Sequence, residues 1–161
     1  MMKGWRTVMS EPRHIVGPHC QSVNRIPADK AANKAKCGRC HQAMFTGAPS
    51  AATTNSFIAH IQRNEIPVVV DFWAAWCGPC RAMAPAYERV AAEMEPEMRF
   101  LKVDTEAEQE LAARYNIRSI PTLMVFRKGA VIGQRAGAMD AESLRAWLRQ
   151  YTGSSAQAAS V

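Results

Sequence analysis

Between residues 66 and 73 the sequence reads IPVVVDFW, an almost continuous apolar run in which three valines precede a single aspartate. A run this short, β-branched and apolar at odd and even positions alike, suits a strand buried on both faces rather than an alternating edge strand. Such a strand needs helices above and below it. Trp76-Cys77-Gly78-Pro79-Cys80 lies just beyond its end. The following stretch, CGPCRAMAPAYERVAAEMEPE, places Met83, Tyr87, Val90, Ala91 and Met94 at helical spacing, with Pro85 expected to kink the helix. The two cysteines therefore fall at a strand-to-helix junction.

The flanking segments continue the alternation. NSFIAHIQRNE, from Asn55, sets Phe57, Ile58 and Ile61 on one face of a short helix, and MRFLKVDT and EAEQELAARYN read as strand and helix. TLMVFRK and AVIGQRA read as two strands around a tight turn at Gly129, and DAESLRAWLRQY as a closing helix capped by Asp140. Leu144, Trp147, Leu148 and Tyr151 form its apolar face. This order implies an α/β fold with a mixed central sheet and helices on both sides.

The 161 residues suffice for one domain with its own core and a small satellite. GAPSAATTNS reads as a connector between them. The expected division is a disordered lead over 1–13, a small extension over 14–47, a linker over 48–53, the main domain over 54–152 and a disordered tail over 153–161. Met9 would itself make a plausible start, so the first eight residues read as an upstream-start artefact or a tag.

The formal charge of +6 comes from scattered basic residues without a block, which gives no nucleic-acid footprint. No apolar run approaches the roughly 18 residues of a membrane span, and the first residues lack the apolar core of a secretory signal. A cytosolic protein is expected. Five cysteines in such a chain point to metal binding or redox catalysis rather than a disulfide framework. They form two groups: Cys77 with Cys80, and Cys20 with Cys37 and Cys40.

At a helix N-terminus, free N–H groups and about half a positive charge favour a thiolate. Cys77 is the expected nucleophile and Cys80, one turn further and less exposed, the resolving thiol. Gly78 lets a substrate backbone approach, and Pro79 sits where its missing N–H is harmless. The competing reading is half of a metal site. No second CxxC or histidine pair lies at ligand spacing in this domain, and a pair at such a junction is expected to be poorly buried.

VDFWAAWCGPCRAMAP, KVDTE, IRSIPTLMVFRKG and AGAM occur in that order, and together they resemble the thioredoxin family over residues 53–151. The resemblance implies a thioredoxin fold and a cytosolic protein-disulfide reductase working by dithiol–disulfide exchange, most simply a monomer. Asp71 corresponds to the buried acid that takes a proton from the resolving thiol, and Lys102 to the lysine pairing with it. Pro121 corresponds to the cis-proline facing the disulfide. Trp76, Gly78, Pro79, Ile120 and Gly137 correspond to the docking surface for disulfide-containing protein substrates. No cofactor is implied for the redox step in this chain, because FAD and NADPH belong to the resetting partner, an NADPH-dependent thioredoxin reductase. Two other readings use the same fold: a thiol oxidant, which usually has a histidine between the cysteines, and an interaction module that binds metal or senses oxidant.

HIVGPHCQSVNRIP, over 14–27, and KCGRCHQ, over 36–42, resemble the extension of the thioredoxin-2 subfamily, which holds zinc on two CxxC pairs. Here Gly17 stands where the first cysteine belongs, and His41 where glycine is common. Cys20, Cys37 and Cys40 supply three of the four ligands a structural zinc wants. His41, His14 and His19 are candidates for the fourth; His41 adjoins Cys40 and His19 adjoins Cys20, and neighbouring side chains do not easily point at one ion, whereas His14 lies in a flexible lead with reach but no preorganisation. Three outcomes are open: one zinc held weakly with a histidine or water, a redox pair Cys37/Cys40, or a lost site.

Overall fold

The computed structural model describes residues 11–152. The expectations for residues 1–10 and 153–161, including the choice between Met1 and Met9, lie outside the described residues. Five strands form the main sheet: β3 (Ser50–Ala51), β4 (Val68–Trp73), β5 (Arg99–Asp104), β6 (Thr122–Arg127) and β7 (Ala130–Ala136), in the order β3-β5-β4-β6-β7. β4 is central, parallel to β5 and antiparallel to β6. Four helices cover the sheet: α1 (Thr54–Arg63), α2 (Gly78–Met94), α3 (Gln109–Arg114) and α4 (Ala141–Arg149). The mixed sheet read from the sequence is therefore present.

The pleat explains the apolar run. Val69 belongs to the core built with α2 and α4 (Met83, Tyr87, Val90, Leu144, Leu148), while Val68, Val70 and Phe72 belong to the core built with α1 and α3 (Phe57, Ile61, Leu111). Phe57 meets Phe72, Tyr115 and Phe126 edge-on, a geometry that adds to area burial. By the same alternation Asp71 lies on the α2 face of β4. α2 runs through Pro85 without ending, with that residue exposed on its outer side.

Three local expectations are revised. Ser50–Ala51, inside the expected linker, pairs in parallel with Leu101–Lys102 as an edge strand. Residues 105–107 form a turn instead of the first turn of a helix, because the Asp104 carboxylate accepts from the Glu106 and Ala107 N–H groups. Arg13 is not part of a loose lead: β1 (Arg13–Val16) pairs antiparallel with β2 (Val23–Ile26). Asp140 does cap α4, accepting from the Ser143 N–H at 2.7 Å.

The extension docks against the start of β4 and β5. Its small core of Ile15, Ile26, Ala35, Cys37, Met44 and Phe45 includes Ile66 of the main domain. Arg99, 1% exposed, donates from Nη2 to the carbonyls of Val16 at 2.9 Å and Met44 at 2.8 Å, and its guanidinium lies 4.2 Å over the Phe45 ring. The buried Glu95 carboxylate is 3.9 Å from Arg99 Nη1 and accepts from Gly47 N–H at 2.9 Å. Burial pushes Arg99 down to about 10, with Glu95 opposing, and Glu95 up to about 7, with Arg99 opposing. Arg99 thus stays charged at neutral pH. Val16 N–H donates to Asn64 Oδ1 at 2.8 Å, and Asn64 Nδ2 donates to His60 Nδ1 at 2.9 Å, which fixes His60 as the Nε2–H tautomer. Burial, assisted by Arg99, pushes His60 down to about 3, so it is neutral.

Removing the guanidinium leaves a buried carboxylate uncompensated and two carbonyls without donors. Arg99→Ala is expected to cost about 3–5 kcal/mol and to open residues 13–47 to limited proteolysis before the main domain unfolds. Global unfolding without early cleavage of the extension would contradict this.

Candidate active site and cysteine cluster

Cys77 caps α2: its Sγ accepts from the Cys80 N–H at 3.2 Å, at the end where the helix carries its positive charge. Cys77 and Cys80 are joined in a disulfide with Cα atoms 5.2 Å apart. Both are more buried than the sequence suggested, at 3% and 2% exposed, because Ala74, Trp73 and Ile120 pack around them. Burial therefore does not separate a redox pair from a structural one at this junction. Access does: a groove of about 500 Å³ is lined by Trp76, Cys77, Gly78 and Pro79 on one side and Ile117, Arg118, Ser119 and Ile120 on the other, and Cys80 is not part of it. A molecule in the groove meets Cys77.

Trp76 is 68% exposed at the rim. Cys77 Sγ lies 3.6 Å from the Ile120 carbonyl oxygen, and the Ile120–Pro121 peptide bond is cis. Gly137, at φ +98°, donates its N–H to the Pro121 carbonyl at 2.9 Å, a left-handed conformation that glycine adopts without strain. Thr105 and Arg118, also in the groove, were not singled out from sequence; the signal for Arg118 was its place two residues before Ile120 in the loop.

Asp71 is buried, and its Oδ1 has no hydrogen-bond partner among the described residues. Burial pushes its carboxyl up to about 7, against the opposing charge of Lys102. The two residues are neighbours in register across β4 and β5. The expected ion pair between them is absent among the described residues: Lys102 Nζ instead lies 4.2 Å over the Trp73 ring. A partly buried lysine keeps better solvation on an aromatic face than beside a carboxylate it would have to enter the core to reach. Trp73 thus holds this cation.

In the extension, two backbone turns oppose each other. Gly17 N–H donates to Ser22 O at 2.8 Å, and Cys37 N–H to Gln42 O at 2.8 Å. Gln21 and His41 occupy matching left-handed positions at φ 60° and 66°. The sulfurs of Cys20, Cys37 and Cys40 lie within 4.8 Å of one another, and Cys20 Sγ is 3.5 Å from Cys37 Sγ. Hydrogen bonds from the Cys40 backbone, the Asn24 side chain and the Arg39 backbone pull Cys37 down to about 6. No histidine or carboxylate joins this cluster among the described residues. His14 Nδ1 is 3.1 Å from Glu65 Oε1, held there by β1 rather than free to reach, and His41 is exposed. Three thiols fit a thiophilic metal; the fourth ligand of a closed, all-cysteine zinc site is missing, because Gly17 is buried with no side chain to offer.

The sheet, the capping cysteine and the cis-proline loop define a thiol–disulfide oxidoreductase. Residues 48–150 match the family model described as thioredoxin, and residues 16–42 match the one described as thioredoxin 2, N-terminal. The chain is 40% identical to thioredoxin C-3 of Corynebacterium nephridii over 136 residues, 84% of this chain and 93% of that protein. It is 41% identical to the thioredoxin of Porphyra purpurea over 63% of this chain and 95% of that one. Among solved structures, an N21Q mutant thioredoxin from Halobacterium salinarum NRC-1 superposes with a TM-score of 0.62 at 28% identity, covering 68% of this chain and 96% of that chain. The Malassezia sympodialis thioredoxin gives 0.61 at 30% identity, covering 70% and 98%. The chain belongs to the thioredoxin family and carries the thioredoxin-2 type of N-terminal zinc ribbon, in which the cysteine cluster supports metal binding. No helix among the described residues is long and apolar enough to cross a membrane.

Burial raises the folded-state carboxyl of Asp71 above its ordinary 3.8. Its neutral form is favoured by folding, so stability falls as pH rises from about 4 towards 7 and levels off above. Asp71→Asn is therefore expected to stabilise the oxidised protein at pH 8, by up to roughly 4 kcal/mol at 1.36 kcal/mol per pKa unit, and to give no gain at pH 4. Denaturant unfolding of both proteins at the two pH values checks this; a gain independent of pH would contradict it.

Proposed function

We propose that the protein is a cytosolic protein-disulfide reductase that works through Cys77 and Cys80. The observation that carries the reading is that Cys77 borders the groove and Cys80 does not. In the reduced protein the Cys77 thiolate attacks one sulfur of a substrate disulfide, forming a mixed disulfide and releasing the other sulfur as a thiolate. Cys80 loses its proton, attacks Cys77 Sγ and expels the reduced substrate, leaving the protein disulfide. Asp71 is the proton acceptor for Cys80. A carboxylate lifted to about 7 by burial can both take and return that proton near neutral pH. Lys102 tunes it through its charge, over the face of Trp73.

Trp76, Gly78 and Pro79 form one wall for the substrate chain. Ile120 belongs to the other wall, and Pro121 and Gly137, hydrogen-bonded to each other beside it, complete the docking surface. An NADPH-dependent thioredoxin reductase resets the disulfide, and the protein acts as a monomer on disulfide-containing proteins. The extension is a metal-binding module whose thiols, Cys20, Cys37 and Cys40, hold a thiophilic ion apart from the redox step; the subfamily's zinc would find three of its four ligands here.

The test is insulin-disulfide reduction coupled to NADPH and thioredoxin reductase. Cys77→Ser is expected to reduce the rate to the uncatalysed background, and Cys80→Ser to accumulate a mixed disulfide. Equal rates for wild type and Cys77→Ser would sink the reading.

A further inference from the structure

The position of Gly17 bears on the chemistry of the cysteine cluster. A Cβ there would lie 3.6 Å from Cys37 Sγ, 3.6 Å from the Ser22 carbonyl oxygen and 3.7 Å from Met44 Sδ. The thioether of Met44 thus borders the space that a fourth ligand's side chain would fill. Met44 is fully buried, and its backbone is held on both sides: its N–H donates to Ala35 O at 3.0 Å and its carbonyl accepts from Arg99 at 2.8 Å. The Ser22 carbonyl already accepts the Gly17 N–H. Ile15 and Phe45 belong to the same apolar cluster as Met44 and Cys37, and an apolar cluster offers poor support to a metal-bound water.

We propose that Cys20, Cys37, Cys40 and the thioether of Met44 form an all-sulfur site for a soft monovalent d10 cation, Cu(I). This rests on the metal-binding reading of the extension and names its ligand. A neutral thioether is a weak donor to zinc, which prefers four ligands drawn from thiolate, imidazole and carboxylate, whereas Cu(I) accepts mixed thiolate and thioether sulfur. Cys20 and Cys40, each half-buried, give the ion a way in. On binding, each thiol that ligates releases its proton to solvent; no electron moves, because copper enters already as Cu(I).

The experiment uses the full chain with Cys77→Ser and Cys80→Ser, so that the redox pair does not compete for metal. The reduced protein is titrated anaerobically with Cu(I), kept reduced by ascorbate, against a chromogenic Cu(I) chelator, and separately with Zn(II) against a zinc chelator. One Cu(I) per chain is expected, lost on Cys20→Ser. Met44→Leu, a volume-conserving change, is expected to weaken Cu(I) by roughly tenfold or more while leaving zinc affinity and the unfolding temperature nearly unchanged. In a Gly17→Cys background a fourth thiolate replaces the thioether, so Met44→Leu should no longer affect Cu(I), and zinc should bind more tightly. Unchanged Cu(I) affinity in Met44→Leu overturns the proposal, as does an equal loss for both metals. Binding of neither metal overturns it together with the metal-binding reading itself.

Discussion

The guanidinium of Arg99 is the contact on which the extension's position depends. It leaves β5 at the register where β4 begins and donates to one carbonyl from each half of the extension, Val16 and Met44. A buried charge is costly unless it is paired and hydrogen-bonded. Glu95 and the Phe45 face supply compensation, and Gly47 holds Glu95 in turn. His60 and Asn64 complete the contact in neutral form, since burial and then the neighbouring charge of Arg99 disfavour the imidazolium. The segment is too small to build a large core of its own, so its order comes from this anchor together with whatever its sulfurs bind.

At the far end of β4 the design is reversed. There a carboxyl, Asp71, is buried with one oxygen unpartnered among the described residues, and its neighbouring cation, Lys102, is diverted to an indole ring. An ion pair would have stabilised the charged carboxylate and lowered its affinity for a proton. With Lys102 on Trp73, burial keeps the Asp71 carboxyl raised to about 7. β4 thus has a paired and hydrogen-bonded cation beside its first residue and, further along, an acid with one oxygen unpartnered among the described residues.

The main fold was legible because its signals are local. The two-sided apolar strand, the Asp140 cap and the glycine turn at 129 each declare themselves within a few residues. The candidate redox pair was legible for the same reason, since its chemistry follows from one strand-helix junction. What stayed hidden depends on pairing across distance. Arg99 reads as an ordinary strand residue until Val16 and Met44 are brought to it, and Lys102 reads as a partner for Asp71 until Trp73 proves closer. His14 looked mobile because four residues of β1 carry too little pattern to announce a strand. Met44 carries no signal of a role, because nothing in the sequence puts it beside Gly17.

The extension sits at the start of β4, and Cys77 lies beyond its end. Six residues of strand put on the order of 20 Å between the two sulfur centres. Cys77 is held by the helix it caps and faces its own groove, so it cannot turn back to Cys20, Cys37 or Cys40 of the same chain. If the cluster is oxidised, its repair by this chemistry has to come from another molecule. The recovery rate would then scale with protein concentration, which makes the cluster's redox state a property of the population rather than of the single chain.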